Sequence, residues 1–134
     1  MATKTTTHKQ LIERWQNVLR VLRALTPHQR RKHFAMNSFG YQDECGTIAC
    51  AAGHCSLDPW FRRRGFKSVV EDDELQIVGY DDYMDYDLNA WGVGCVRFFG
   101  RDGADKIFFN DSSRPVSQVI REVRAHIKSL ESQE

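Results

Sequence analysis

The 134-residue sequence predicts an α+β protein, mainly α: a single compact helical domain with a small β-hairpin in the middle. Three observations carry that reading. Leu11, Ile12, Trp15, Val18, Leu19, Leu22 and Leu25 recur at three- and four-residue steps with Arg14, Arg20 and Arg23 between them, which is the spacing of an amphipathic helix. Val116, Val119, Ile120, Val123, Ile127 and Leu130 repeat the stripe behind Pro115 and close the chain with a second long helix. Between them, Lys67–Val70 and Leu75–Val78 are short, partly β-branched runs on either side of Glu71-Asp72-Asp73-Glu74, the pattern of a two-stranded hairpin with a solvated loop.

The remaining elements follow in chain order. Residues 1–7 are polar and Thr-rich and read as a disordered tail, so the domain spans residues 8–134. Thr26-Pro27 pairs an N-cap with a first-turn proline and starts a short basic helix carrying His28, Gln29, Arg30, Arg31, Lys32 and His33. Asn37–Gly40 is turn-like, and Tyr41–Glu44 leads into Cys45-Gly46-Thr47-Ile48-Ala49-Cys50-Ala51-Ala52-Gly53-His54-Cys55. Here Thr47 reads as the N-cap of a small-sided, buried helix, with Gly53 marking a close approach or the last turn and Cys50 and His54 on one face. Asp58-Pro59 repeats the cap-and-proline device, Gly65 ends that helix and Phe66 anchors its exit. Gly79–Asp87, rich in Tyr and Asp, reads as an irregular loop. A helix is expected from about Leu88 to Phe99 with Gly100 past its end, then a short one capped by Asp102 and running through Ile107 and Phe108.

Composition narrows the function classes. No apolar run approaches the roughly 20 residues that span a bilayer, so a cytoplasmic protein with no membrane partner is expected. Four cysteines in such a chain read as reduced thiols or metal ligands. The net charge of +1 hides an asymmetry of +8 over residues 1–70 against −7 over residues 71–134. The two halves are expected to neutralise each other by packing, and a near-neutral chain with an acidic segment from Glu71 to Asp87 disfavours nucleic acid as a partner.

Cys45-Gly46-Thr47, Cys50, Gly53 and His54, then Asp58-Pro59-Trp60-Phe61, Gly65-Phe66, Phe98-Phe99-Gly100 and Ile107-Phe108, form a further pattern. Over roughly residues 8–130 it resembles a family of small uncharacterised bacterial and bacteriophage proteins marked by Cys-Gly-Thr-x-x-Cys-x-x-Gly. The resemblance implies a mostly helical domain and a phage or prophage setting, and it carries over no catalytic residue.

Three chemistries compete for the central stretch. As an anion site, Gly46 and Thr47 would offer N–H groups at a helix start, with His54, Arg62, Arg63 and Arg64 adding charge-assisted contacts. As a zinc site, Cys45, Cys50 and His54 would need a distant fourth ligand such as Cys95 or His33, because Cys55 points off their face. As a thiol enzyme, Cys45 would gain thiolate character just before a helix start and Cys50 would be paired with His54, yet no third group orients the histidine. No catalytic constellation is complete. The sequence therefore reads as a non-enzymatic binding protein, a phage or prophage accessory factor that engages a protein partner or sequesters a small anionic, nucleotide-like ligand without a cofactor. The alternative is a zinc-binding or thiol-dependent enzyme. The two amphipathic helices can pair within one chain or supply the face of a homodimer.

Overall fold

A computed structural model describes residues 6–36, 39–43, 46–78, 90–109 and 113–133. Its elements are α1 (His8–Ala24), α2 (Pro27–Lys32), β1 (Gly40–Asp43), β2 (Gly46–Ala49), α3 (Ala51–Leu57) and α4 (Pro59–Arg63). They continue with β3 (Lys67–Glu71), β4 (Glu74–Val78), α5 (Ala90–Phe99), α6 (Arg101–Gly103), a π-turn (Ala104–Phe108) and α7 (Val116–Ser132). The chain is α+β and mainly α, as its periodicities predict.

α1 and α7 form the frame. Thr7 opens α1 with a capping box, its hydroxyl accepting from the Gln10 N–H while the Gln10 side chain accepts from the Thr7 N–H. The apolar stripe of α1 packs on that of α7, with His8 beside the Leu130 carbonyl and Trp15 beside His126, so the two helices run antiparallel. Their predicted faces are thereby used inside the chain. Between them lies an aromatic core of Trp15, Phe61, Phe66, Phe98, Phe99 and Phe108, all fully buried.

α1 also completes the end of α5. The last carbonyls of a helix lack partners within it and must find others when buried. Arg14 Nη1 donates to the Phe98 carbonyl at 2.8 Å and Trp15 Nε1 to the Phe99 carbonyl at 3.0 Å, so two adjacent residues of α1 satisfy two adjacent carbonyls of α5. Gly100 then turns the chain at φ 86°, where a side chain is disfavoured. At α4 the same problem is solved by a Schellman end: the Phe66 N–H donates to the Phe61 carbonyl, the Gly65 N–H to the Arg62 carbonyl, and the Phe66 and Phe61 rings meet.

Three expectations are corrected. The sheet has four antiparallel strands in the order β2-β1-β4-β3, not two. Residues 40–43, read as the end of a turn and the start of a lead-in, form β1 and pair with β2 from Gly40↔Ala49 to Asp43↔Gly46. Thr47 is therefore not a helix cap; it faces Gln42 across the ladder, where its β-branched side chain fits as well as that of Ile48. The helix starts four residues later, at Ala51, with the Cys50 Sγ accepting from the Gly53 N–H at 3.5 Å. Asp102 is likewise no cap: Gly100 holds that position and the Asp102 carboxylate pairs with Lys106 at 3.1 Å, one turn on. Gly79–Asp87 and the expected start of α5 at Leu88 lie outside the described residues.

Candidate functional site

β2 is more than an edge strand. A parallel bridge joins Phe34 to Ala49, with the Ala35 N–H donating to the Ala49 carbonyl and the Ala49 N–H to the His33 carbonyl. This stitches the end of α2 to the junction of β2 and α3. α3 then lies so close to β1 that a Cβ on Gly53 would collide with the Phe39 carbonyl and the Ala49 side chain.

A recess of about 540 Å³ opens where α2, β2 and α3 meet, lined by Thr26, His28, Gln29, His33, Thr47, His54 and Leu57. Its histidines are held by backbone. His33 Nδ1–H donates to the Thr47 carbonyl at 2.9 Å, and His54 Nε2–H donates to the His33 carbonyl at 2.6 Å. In its neutral form a ring held this way presents its other nitrogen as an acceptor. The His54 ring stacks on Phe34 at a centroid distance of 5.9 Å, and His28 meets His33 edge-on at 5.4 Å. Burial lowers the His54 pKa; its bond to the His33 carbonyl opposes that shift, and the charge of His33 adds to it.

Of the predicted ligand set, Thr47 and His54 meet at this recess, and His33 joins them. The arginines go elsewhere. Arg62, exposed on α4, donates to the Ser68 carbonyl at 2.8 Å and the Ser56 carbonyl at 3.3 Å. Arg64 lies 3.7 Å over the Trp60 ring and donates to that residue's carbonyl. Arg63 is exposed on α4, and Gly46 is the first residue of β2. His28, Thr26 and Gln29 are the contributors that sequence reasoning missed. Some twenty residues of chain separate them from Thr47, and the Phe34–Ala49 bridge, with the bonds of His33 to Thr47 and of His54 to His33, brings the segments together.

The thiols belong to the core. Cys50, Cys55 and Cys95 are free and buried. Burial raises the Cys50 pKa to about 11 and pushes those of Cys55 and Cys95 well above the ordinary thiol range. Cys50 donates toward the Phe39 carbonyl, away from the His54 ring nitrogen that bonds His33. Cys45 lies outside the described residues, and among the described residues no three His, Cys, Asp or Glu side chains stand close enough to share an ion. Comparison of the chain with protein-family models, with curated proteins and with solved structures finds no match.

Proposed function

We propose that this chain is a binding protein, and that the recess between α2, β2 and α3 takes a small anionic ligand of the phosphate or nucleotide class. The observation that carries the reading is the convergence of His28, His33 and His54 on one recess with the hydroxyls of Thr26 and Thr47 and the amide of Gln29. The hydroxyl and amide groups supply donors that a phosphate accepts, and the second nitrogen of each ring becomes a further donor when the ring takes up a proton. Arg31 and Lys32, exposed on α2, add positive charge to the same helix. In this reading the buried cysteines are packing atoms and no cofactor takes part. The resemblance of the Cys-Gly-Thr pattern would make such a binder a phage or prophage accessory factor, in host interaction or anti-defence, and a sequence without a long apolar run suits a place in the cytoplasm.

The chain's five histidines make the test direct. In an NMR titration with inorganic phosphate and, separately, a nucleoside monophosphate, the ring signals of His28, His33 and His54 should shift together and saturate, while His8 and His126 stay still. Binding should tighten as pH falls, because an anion favours the protonated rings. Absence of a saturable shift at these three rings with either probe would rule the reading out.

A further inference from the structure

Among the described residues β3 ends the sheet, and its outward edge carries an unusual symmetry. Its sequence, Lys67-Ser68-Val69-Val70-Glu71, is oppositely charged at its two ends and apolar at its centre. Ser68 is buried, its hydroxyl 2.7 Å from that of Ser56, so strand alternation turns Lys67, Val69 and Glu71 to the solvent face. Val69 and Val70 are 44% and 47% exposed, high values for β-branched side chains on a regular strand.

The backbone has matching symmetry. Glu71 and Glu74 flank a two-residue turn and form a directly opposed pair, so Lys67, Val69 and Glu71 direct their N–H and C=O groups to β4. Ser68 and Val70 therefore direct theirs outward. Arg62 donates to the Ser68 carbonyl at 2.8 Å, and a carbonyl oxygen with two lone pairs can accept a second hydrogen bond.

We propose that β3 pairs with β3 of a second copy of this chain, antiparallel about a twofold axis at Val69, and joins the two sheets into one. In that register Ser68 faces Val70 of the other copy, and the outward N–H and C=O groups of both residues meet in hydrogen-bonded pairs. On the solvent face Lys67 stands opposite Glu71 of the other copy at both ends of the ladder, and Val69 packs against itself between them. Each strand therefore supplies the complement of its own charge pattern. α1 and α7 do not compete for this role, since their apolar faces are used on each other. The contact is a single short strand, so the dimer is reversible and dilution dissociates it.

Charge exchange tests the register. Sedimentation equilibrium of the full chain over a range of concentrations should show a monomer–dimer equilibrium. Lys67→Glu and Glu71→Lys should each weaken it about tenfold, because like charges then face each other at both ends. Mixing the two variants should restore association, since each Glu then meets a Lys; the Lys67→Glu/Glu71→Lys double variant should restore it within one chain. That rescue also shows that the single variants are folded. A monomer at every concentration would show the two charges to be guards of a free edge and would overturn the proposal. A dimer indifferent to the exchanges would place the contact elsewhere and overturn it equally.

Discussion

At the scale of single residues, the structure is decided by close approach and by burial of titratable groups. Gly53 lets α3 lie against β1. Gly53→Ala should destabilise the chain by about 3 kcal/mol in a denaturant melt, since the added methyl meets the Phe39 carbonyl, which the sheet and α3 hold in place. His54 and His126 make stability depend on acid. Burial lowers both pKa values below the ordinary 6.5 or so; at His126 the Asp102 carboxylate opposes the shift and Lys106 adds to it. As pH falls through that value the unfolded chain binds protons first, so stability is complete above about pH 6.5 and declines below it. The thiols give the opposite limb: their folded pKa values are raised, so stability declines as pH rises above about 9. Urea midpoints measured across pH should trace this dome. His126→Phe should flatten its acid side, because it removes one titrating ring, and with it a buried Nδ1 that makes no hydrogen bond among the described residues.

At the scale of elements, what could be read from the sequence depended on whether the signal was local. Caps are local. Thr26 closes a capping box with Gln29, Asp58 accepts from the Trp60 N–H at the start of α4, and Gly65 ends that helix, each where the sequence places it. The hairpin is local too, and β3 and β4 pair as expected. β1 and β2 were not legible, because Gly40–Asp43 lacks strand alternation and Gly-Thr before a run of small residues reads equally as a helix start. Their register is as local as that of β3 and β4, Asp43 facing Gly46, so the missing signal is alternation; the partners distant in sequence, the Asp73 carbonyl for Gln42 and the His33 carbonyl for Ala49, are ones that no local pattern shows. For the same reason Thr47 and His54 could be named as site residues while His28 could not. The β3–β4 turn holds a conflict that can be relieved. Asp72 and Asp73 sit at φ 52° and 63°, a conformation that glycine and asparagine adopt at lower cost. Asp72→Asn with Asp73→Gly should raise stability by about 1 kcal/mol, read as a higher urea midpoint with an unchanged slope.

At the scale of the whole molecule, the two long stripes predicted the frame, and Trp15 shows what they could not predict. Periodicity marks it as a core position of α1. It does not reveal that the indole also completes the end of α5 and fills space beside the π-turn. Its ring stands 5.1 Å from those of Phe99 and Phe108 and 4.8 Å from that of His126. The π-turn, closed by the Phe109 N–H on the Ala104 carbonyl at 2.8 Å, follows Gly103, where a Cβ would collide with Trp15 and His126. α1, α5, the π-turn and α7 thus meet at one side chain, and its loss should be felt as a loss of the whole fold. Trp15→Phe removes ring volume from a close-packed site and leaves the buried Phe99 carbonyl without its donor, at a combined cost of about 3 kcal/mol. Arg14→Met removes the neighbouring donor and the guanidinium 4.0 Å from the Phe98 ring, but from a partly exposed position, at about 1 kcal/mol. Urea unfolding followed by circular dichroism should show both variants losing midpoint in that order through a single transition, because the four elements share one core. An early partial transition in Trp15→Phe, with the α1–α7 pair surviving alone, would contradict that account of the core.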